Sequence, residues 1–292
     1  MTHEIPEDIA ARIRAIASDE VSGASALARA GLRIVGDDAA RAAVGDAGEL
    51  LERVREVSEA VARARPEMAP IRVWQERLIG AVERRAASAE NAAALREEIG
   101  AAVDELVARS EAAGKLAIAH AVARLAPGSV VFTASDSMTI REAIQAAHRA
   151  GKLRRVLVAE SADNRGHRYG ALLAEGVRAA GVPAEVVPDA AVAARVAEAD
   201  RIWLGADTVF SDGTLLNGIG SLALARAARA AGRPVEIILE TAKVVPQPPP
   251  ENLALPPEMD RVPGDLIAAV VSEDGIVFNR GPAGNDASAD RR

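Results

Sequence analysis

The sequence predicts an α/β protein: a helical N-terminal domain over residues 1–125, then a parallel-sheet domain over 126–281 covered by helices on both faces. Three observations carry this prediction. From Pro6 to about Leu125 apolar residues recur three and four apart, the period of amphipathic helices. Beyond the Ala-Pro-Gly-Ser stretch at 126–129, short Val- and Ile-rich runs alternate with helical stretches. Those runs are apolar at successive positions, as strands buried on both faces must be.

The helical half reads as a series of segments. "PEDIAARIRAIAS", "GASALARAGLRIV", "AGELLERVREVSEAVARAR" and "APIRVWQERLIGAVERR" come first. A longer one, "AENAAALREEIGAAVDELVARSEAAGKLAIAHAVARL", is rich in Ala, Glu and Arg and is expected to act as a spine into the second half, with a break near Gly114. Strands are expected at 130–134, 155–160, 184–188, 201–207, 235–240 and 266–271, with helices over about 136–150, 166–180, 189–198 and 217–231. The last residues, 282–292, have no apolar pattern and are expected to form a disordered tail.

Composition narrows the function. In 292 residues the formal net charge is −7 and only 2% of residues are aromatic, which disfavours direct nucleic-acid binding, since that needs clustered cations and stacking surfaces. No apolar run reaches the roughly 20 residues of a membrane span, so no membrane partner and a cytoplasmic location are expected. The absence of cysteine removes disulfides, thiolate metal sites and thiol nucleophiles. The four histidines show no metal-ligand spacing, so neither a metal nor a cofactor is expected.

In a wound parallel sheet, ligands sit beyond the carboxyl ends of the strands. Those ends carry Ser135, Asp136 and Ser137, then Glu160 through Arg168, then Asp189, then Asp207 through Asn217, then Glu240 through Lys243. Hydroxyls, carboxylates and a few cations suit a polyhydroxylated anion such as a phosphorylated sugar. Gly166, Gly218 and Gly220, at expected helix starts, would let a phosphate approach the backbone. The same residue types also serve as ordinary helix caps, and that reading stays open at each turn taken singly. "GIGSLA" at 218–223 has the G-x-G-x-x-A form of a dinucleotide fingerprint, but ten residues separate it from "LGAD", too many for a tight pyrophosphate turn.

"GADTVFSDGTLLNGIGSLALARAARAAGRPVEIILETAK", beginning at Gly205, resembles the signature region of one superfamily. It joins the α, β and δ subunits of eukaryotic translation initiation factor 2B with methylthioribose-1-phosphate isomerase and archaeal ribose-1,5-bisphosphate isomerase. "IASDEVSGASALARAGL", "ARPEMAPI" and "VLVAES" resemble further elements of it, so the resemblance runs from about Ile9 to Phe278. It implies a Rossmann-like second domain similar to ribose-5-phosphate isomerases and CoA transferases, a phosphorylated sugar or nucleotide bound in an interdomain cleft, and a homodimer or larger homo-oligomer. Asp207 matches the Asp that in the isomerases pairs with a Cys to move a proton, and Ser135 stands where that Cys belongs. The resemblance and the strand-end reading together make Gly23, Arg65, Ser137, Glu160, Arg165, Gly166, Asn217, Gly218, Gly220 and Lys243 candidate ligand contacts, with Asp207 and Ser135 as candidate catalytic residues.

The departures matter as much. A thiol can be tuned to transfer protons near neutrality, whereas a serine hydroxyl needs an adjacent base. Gly218 replaces the lysine of the family's N-K element, and "SGA" at 22–24 replaces the isomerases' R-G-A. Three expectations follow, in this order: a non-isomerase that binds a phosphorylated sugar or nucleotide in a regulatory role; an aldose-ketose isomerase acting on ribose 1,5-bisphosphate or methylthioribose 1-phosphate; and an assembly subunit whose cleft is vestigial.

Overall fold

A computed structural model of the chain describes residues 5–87 and 89–279. It divides into two compact units, Met1–Ala112 and Ala113–Arg292. The tail expected at 282–292 lies outside the described residues.

The first unit is helical throughout. It contains α1 (Glu7–Ser18), α2 (Ala24–Arg41), α3 (Ala47–Ala62), α4 (Ala69–Ala86) and the first part of α5 (Ala92–Ala123). Each helix starts where the local chemistry allows it. Asp46 caps α3 by accepting hydrogen bonds from the N–H groups of Gly48 and Glu49, and Pro70 sits in the first turn of α4, where no N–H is needed. The apolar stripes of the sequence close the core: Leu32 and Val35 of α2, Leu50 and Val57 of α3, Ile71 and Leu78 of α4, and Leu95 and Ile99 of α5 are fully buried. The Arg53 guanidinium is buried with them on the Asp38 carboxylate, at 2.8 and 2.9 Å. The expected break at Gly114 does not occur. α5 runs through it unbroken, because the alanine- and leucine-rich flanks outweigh the roughly 1 kcal/mol that a glycine costs a helix.

The second unit is built on β1 (Ser129–Thr133), β2 (Leu153–Ala159), β3 (Ala184–Val187), β4 (Arg201–Leu204), β7 (Val235–Ile238) and β9 (Ala269–Ser272), all parallel where they pair. β10 (Gly275–Asn279) adds an antiparallel edge, and the order across the sheet is β10-β9-β7-β4-β1-β2-β3. α6 (Met138–Arg149), α7 (Tyr169–Ala179), α8 (Val192–Arg195, flanked by 3₁₀ turns) and α9 (Ser221–Ala230) are the connections. Alternation along the strands splits the core in two. Val131, Val156 and Trp203 face α6, α7 and the end of α5, while Phe132, Leu157 and Leu204 face α8 and α9.

Where the expected strand 201–207 was to run into a loop, β4 stops at Leu204 and the chain folds into a hairpin, β5 (Thr208–Val209) with β6 (Leu215–Gly218). β8 (Met259–Val262) pairs with β6 to complete a small antiparallel sheet. The last expected strand, 266–271, begins instead at Ala269, after a 3₁₀ turn at Gly264–Leu266. None of the described helices is long and apolar enough to cross a membrane. The chain starts its sheet at β1 in the middle, adds β2 and β3 on one side and then β4 on the other. The connections that follow β1 and β4 therefore lead to opposite sides of the sheet, and wound sheets hold ligands at such a switch in strand order.

Candidate functional site

Two serines mark the rim. Ser135 and Ser161, each two residues past the end of its strand, have φ of 60° and 54° and are the non-glycine residues with positive φ among those described. A β-carbon in the left-handed region costs on the order of 1–2 kcal/mol, so the surroundings must hold it there. They do so through hydrogen bonds between neighbouring strand ends. The Ser135 N–H donates to Ser161 Oγ at 2.8 Å. The Asp189 carboxylate, following β3, accepts from the N–H groups of Ser161 at 2.8 Å and Ala162 at 2.9 Å.

Glycines from the hairpin side close over these serines. A β-carbon on Gly218 would lie 2.1 Å from Ser135 Oγ, and one on Gly220 would lie 2.4 Å from Ser161 Oγ. Gly205, just past β4, meets Ser137 in the same way at 2.4 Å. Three serines of one half of the sheet therefore lie against three glycines of the other. Gly218 is the last residue of β6 and Gly220 the left-handed N-cap of α9, so the space beside Gly218 that was expected to admit a phosphate is filled by Ser135.

The remaining groups assemble around this seam. Asn217 is buried, donating from Nδ2 to Ser221 Oγ at 2.9 Å, and the Ser221 hydroxyl donates to the Gly218 carbonyl at 2.6 Å. The Asp207 N–H donates to the Leu216 carbonyl at 2.9 Å, which puts Asp207 at the root of the hairpin, next to the Thr208–Leu216 pair. Lys243, only 4% exposed, points its ammonium at the Ala206 carbonyl, 2.7 Å away. Ser135, Ser137, Asp207, Asn217, Gly218, Gly220 and Lys243 thus converge on one edge.

Ser137 also caps α6, its hydroxyl accepting from the Ile140 N–H at 3.4 Å. Others are placed differently. Asp136 forms a two-pronged pair with Arg141 at 2.7 and 2.9 Å. Glu160 pairs with Arg168 at 3.0 Å. Arg165 reaches Asp163 at 3.3 Å and Glu258 at 3.4 Å; because the Ile219 N–H donates to the Glu258 carbonyl, Arg165 is brought beside the end of β6. Gly166, with φ of 88°, turns that loop. Burial pushes the Asp163 carboxyl up, but hydrogen bonds from the His167 ring and from the N–H groups of His167 and Arg165 outweigh it and bring its pKa down to about 2.

Gly23 and Arg65 belong to the first unit. Gly23 is the N-cap of α2, and the Arg65 guanidinium donates to the Asp19 carbonyl at 2.6 Å and pairs with Glu67. Burial raises the Asp19 carboxyl, yet the N–H groups of Ser22 and Val21 hold it below its usual value. Among the described residues no group of three or more His, Asp and Glu side chains is placed to hold a metal.

Sequence reading included Ser161 in a polar strand-end stretch and Gly205 in a motif but named neither as a candidate contact. The only signal for the first was a serine directly after a buried strand in "VLVAES"; for the second it was the glycine that opens "GAD". As a whole the edge offers hydroxyls, one amide, one carboxylate and one buried ammonium, a donor set suited to a polar, anionic, small molecule.

Comparison with known proteins fits this architecture. The model of the initiation factor 2 subunit family matches residues 20–254, and the chain belongs to that family. A ribose 1,5-bisphosphate isomerase of Haloferax volcanii is 29% identical over 228 residues, 78% of this chain and 68% of that protein. A putative translation initiation factor eIF-2B subunit 2-like protein of Pyrococcus horikoshii is 27% identical over 278 residues, 95% of this chain and 92% of that one. The solved structure of the Pyrococcus horikoshii translation initiation factor eIF-2B shares the fold, with a TM-score of 0.80 at 24% identity over 94% of this chain and 98% of that one.

Proposed function

We propose that this family member binds a phosphorylated sugar or nucleotide at the rim formed by the ends of β1 and β4, and that it acts by binding rather than by turnover. The observation that carries the reading is Ser135. It occupies the position at which the isomerases that this sequence resembles have a cysteine. Among the described residues no side chain accepts a hydrogen bond from its hydroxyl, and the adjacent Asp136 carboxylate is committed to Arg141. A serine hydroxyl without a base is a poor proton carrier at neutral pH, yet it remains a good hydrogen-bond partner for a sugar hydroxyl. Lys243 supports an anion as the ligand, since a nearly buried ammonium gains from a phosphate partner. We extend the proposal to a homodimer or larger homo-oligomer, which light scattering tests.

The experiment is a melting screen against sugar monophosphates, sugar bisphosphates and nucleotides, paired with turnover assays. A ligand that binds only the folded state adds RT ln(1 + [L]/Kd), about 2.7 kcal/mol at 100 times Kd. The expected result is a stabilising ligand of this class with no product formed. A second reading, aldose-ketose isomerisation, is favoured by the relative named ribose 1,5-bisphosphate isomerase together with Asp207 at the hairpin root. Product from ribose 1,5-bisphosphate or methylthioribose 1-phosphate, lost in Asp207→Asn, would replace the binding reading with that one. Absence of stabilisation by every compound in the screen would leave the assembly role.

A further inference from the structure

The first unit carries a groove of about 490 Å³ between α4 and α5, and its charges do not balance. α4 lines it with residues 73, 76, 77, 80, 81, 84 and 85, and α5 with residues 105, 106 and 109. Gly80 and Ala81 leave the α4 surface bare there. Both carboxylates of the lining are neutralised by arginines: Glu76 by Arg72, and Glu105 by Arg85 at 2.8 Å. Arg77 is held with its guanidinium over the Trp74 ring, 4.4 Å from the centroid. Among the described residues no carboxylate pairs with Arg84 or Arg109. Arg84 is exposed and lies back along its helix, one guanidinium nitrogen 3.5 Å from where a Gly80 β-carbon would be.

An acidic chain therefore keeps a cationic groove with two guanidiniums that no carboxylate balances. Guanidinium forks match phosphate oxygens in pairs. The single aromatic ring near the groove, Trp74, is 1% exposed and covered by Arg77, so no face is offered for stacking a base. We propose that the α4–α5 groove binds a compact, multiply charged phosphate compound that lacks an aromatic base, with Arg84 and Arg109 as its main contacts. The site lies within the first unit and does not depend on the function proposed for the sheet rim.

The test is calorimetric titration of the full chain with sodium pyrophosphate at fixed ionic strength. Wild-type protein is expected to bind. The variant with Arg84→Gln and Arg109→Gln is expected to lose at least about tenfold in affinity, as two charge-assisted contacts would require, while melting like wild type without ligand. Gly80→Leu, which fills the groove and crowds the Arg84 guanidinium without removing a charge, is expected to weaken binding as well. Arg63→Gln, which removes an exposed arginine of the same unit that is paired with Glu59 and lies outside the groove lining, is expected to leave the affinity unchanged. Equal affinity in wild type and the double arginine variant overturns the proposal, as does an equal loss of affinity in Arg63→Gln, which would show a diffuse charge effect and not a site. Tighter binding of adenosine triphosphate than of tripolyphosphate would overturn the exclusion of an aromatic base. Equal binding of a polyglutamate peptide would point to an acidic protein surface instead.

Discussion

Replacing Gly218 by Ala sets one methyl group against Ser135, and the outcome can be worked from two distances. The added carbon would lie 2.1 Å from Ser135 Oγ and 2.8 Å from Ser135 Cβ. The hydroxyl can rotate aside. The β-carbon cannot, because it rides on a backbone whose left-handed conformation is tied by its N–H to Ser161. Carbon atoms settle about 3.5–4.0 Å apart, so β6 and the end of β1 must separate by roughly 0.7 Å or more. Overpacking of this kind costs about 1–3 kcal/mol, which for a unit of this size lowers the melting temperature by roughly 2–12 °C. Ser135→Gly removes both contacting atoms and places glycine where φ is positive, so on its own it should be neutral or mildly stabilising. The double variant should therefore recover most of what Gly218→Ala loses, giving a coupling energy of about 1 kcal/mol or more in a double-mutant cycle followed by circular dichroism in heat and urea. Strictly additive effects, or Gly218→Ala melting like wild type, would refute the serine–glycine seam.

Three further outcomes are expected. Asp38→Asn removes the charge paired with the Arg53 guanidinium in the helical core, where the two side chains are 4% and 6% exposed, and should cost about 1.5–3 kcal/mol in urea unfolding. Asp189→Ala removes the acceptor for the Ser161 and Ala162 N–H groups; as the side chain lies at the surface, the cost should be near 1 kcal/mol, with faster amide exchange at those two residues. The folded pKa of Asp163, about 2, lies below its ordinary 3.8, so its contribution to the 163–167 loop is fully present above the ordinary value and is lost as pH falls through about 2. Carbon-detected magnetic resonance of the Asp163 carboxyl should give that midpoint; a value near 3.8 would show that the His167 and N–H contacts do not form.

The parallel sheet was legible because its strands are apolar on both faces and bounded by polar turns, so each of the six expected runs contains or overlaps an observed strand. The hairpin was not. β5 is two residues long and β6 four, too short for a period to show, and β8 sits in "LPPEMDRV", whose prolines argue against a strand. Gly114 was misjudged because a glycine's local penalty says nothing of the neighbours that absorb it. The cations of the candidate site were visible as residue types, but their commitments were not: Arg165 to Asp163 and Glu258, Arg168 to Glu160, Arg65 to Glu67.

From the sequence alone came the layer architecture, the polar strand ends that share one edge of the sheet, and a serine at residue 135. These depend on period and residue type, which are properties of neighbouring positions. The pairing of Ser135 with Gly218, of Ser161 with Gly220 and of Lys243 with Ala206 was decided by the tertiary structure. Dozens of residues separate the partners in each pair, and no local pattern records which distant segment the wound sheet will bring against a given strand end. Packing of whole layers selects it, and only then does a missing β-carbon or a buried ammonium acquire a partner.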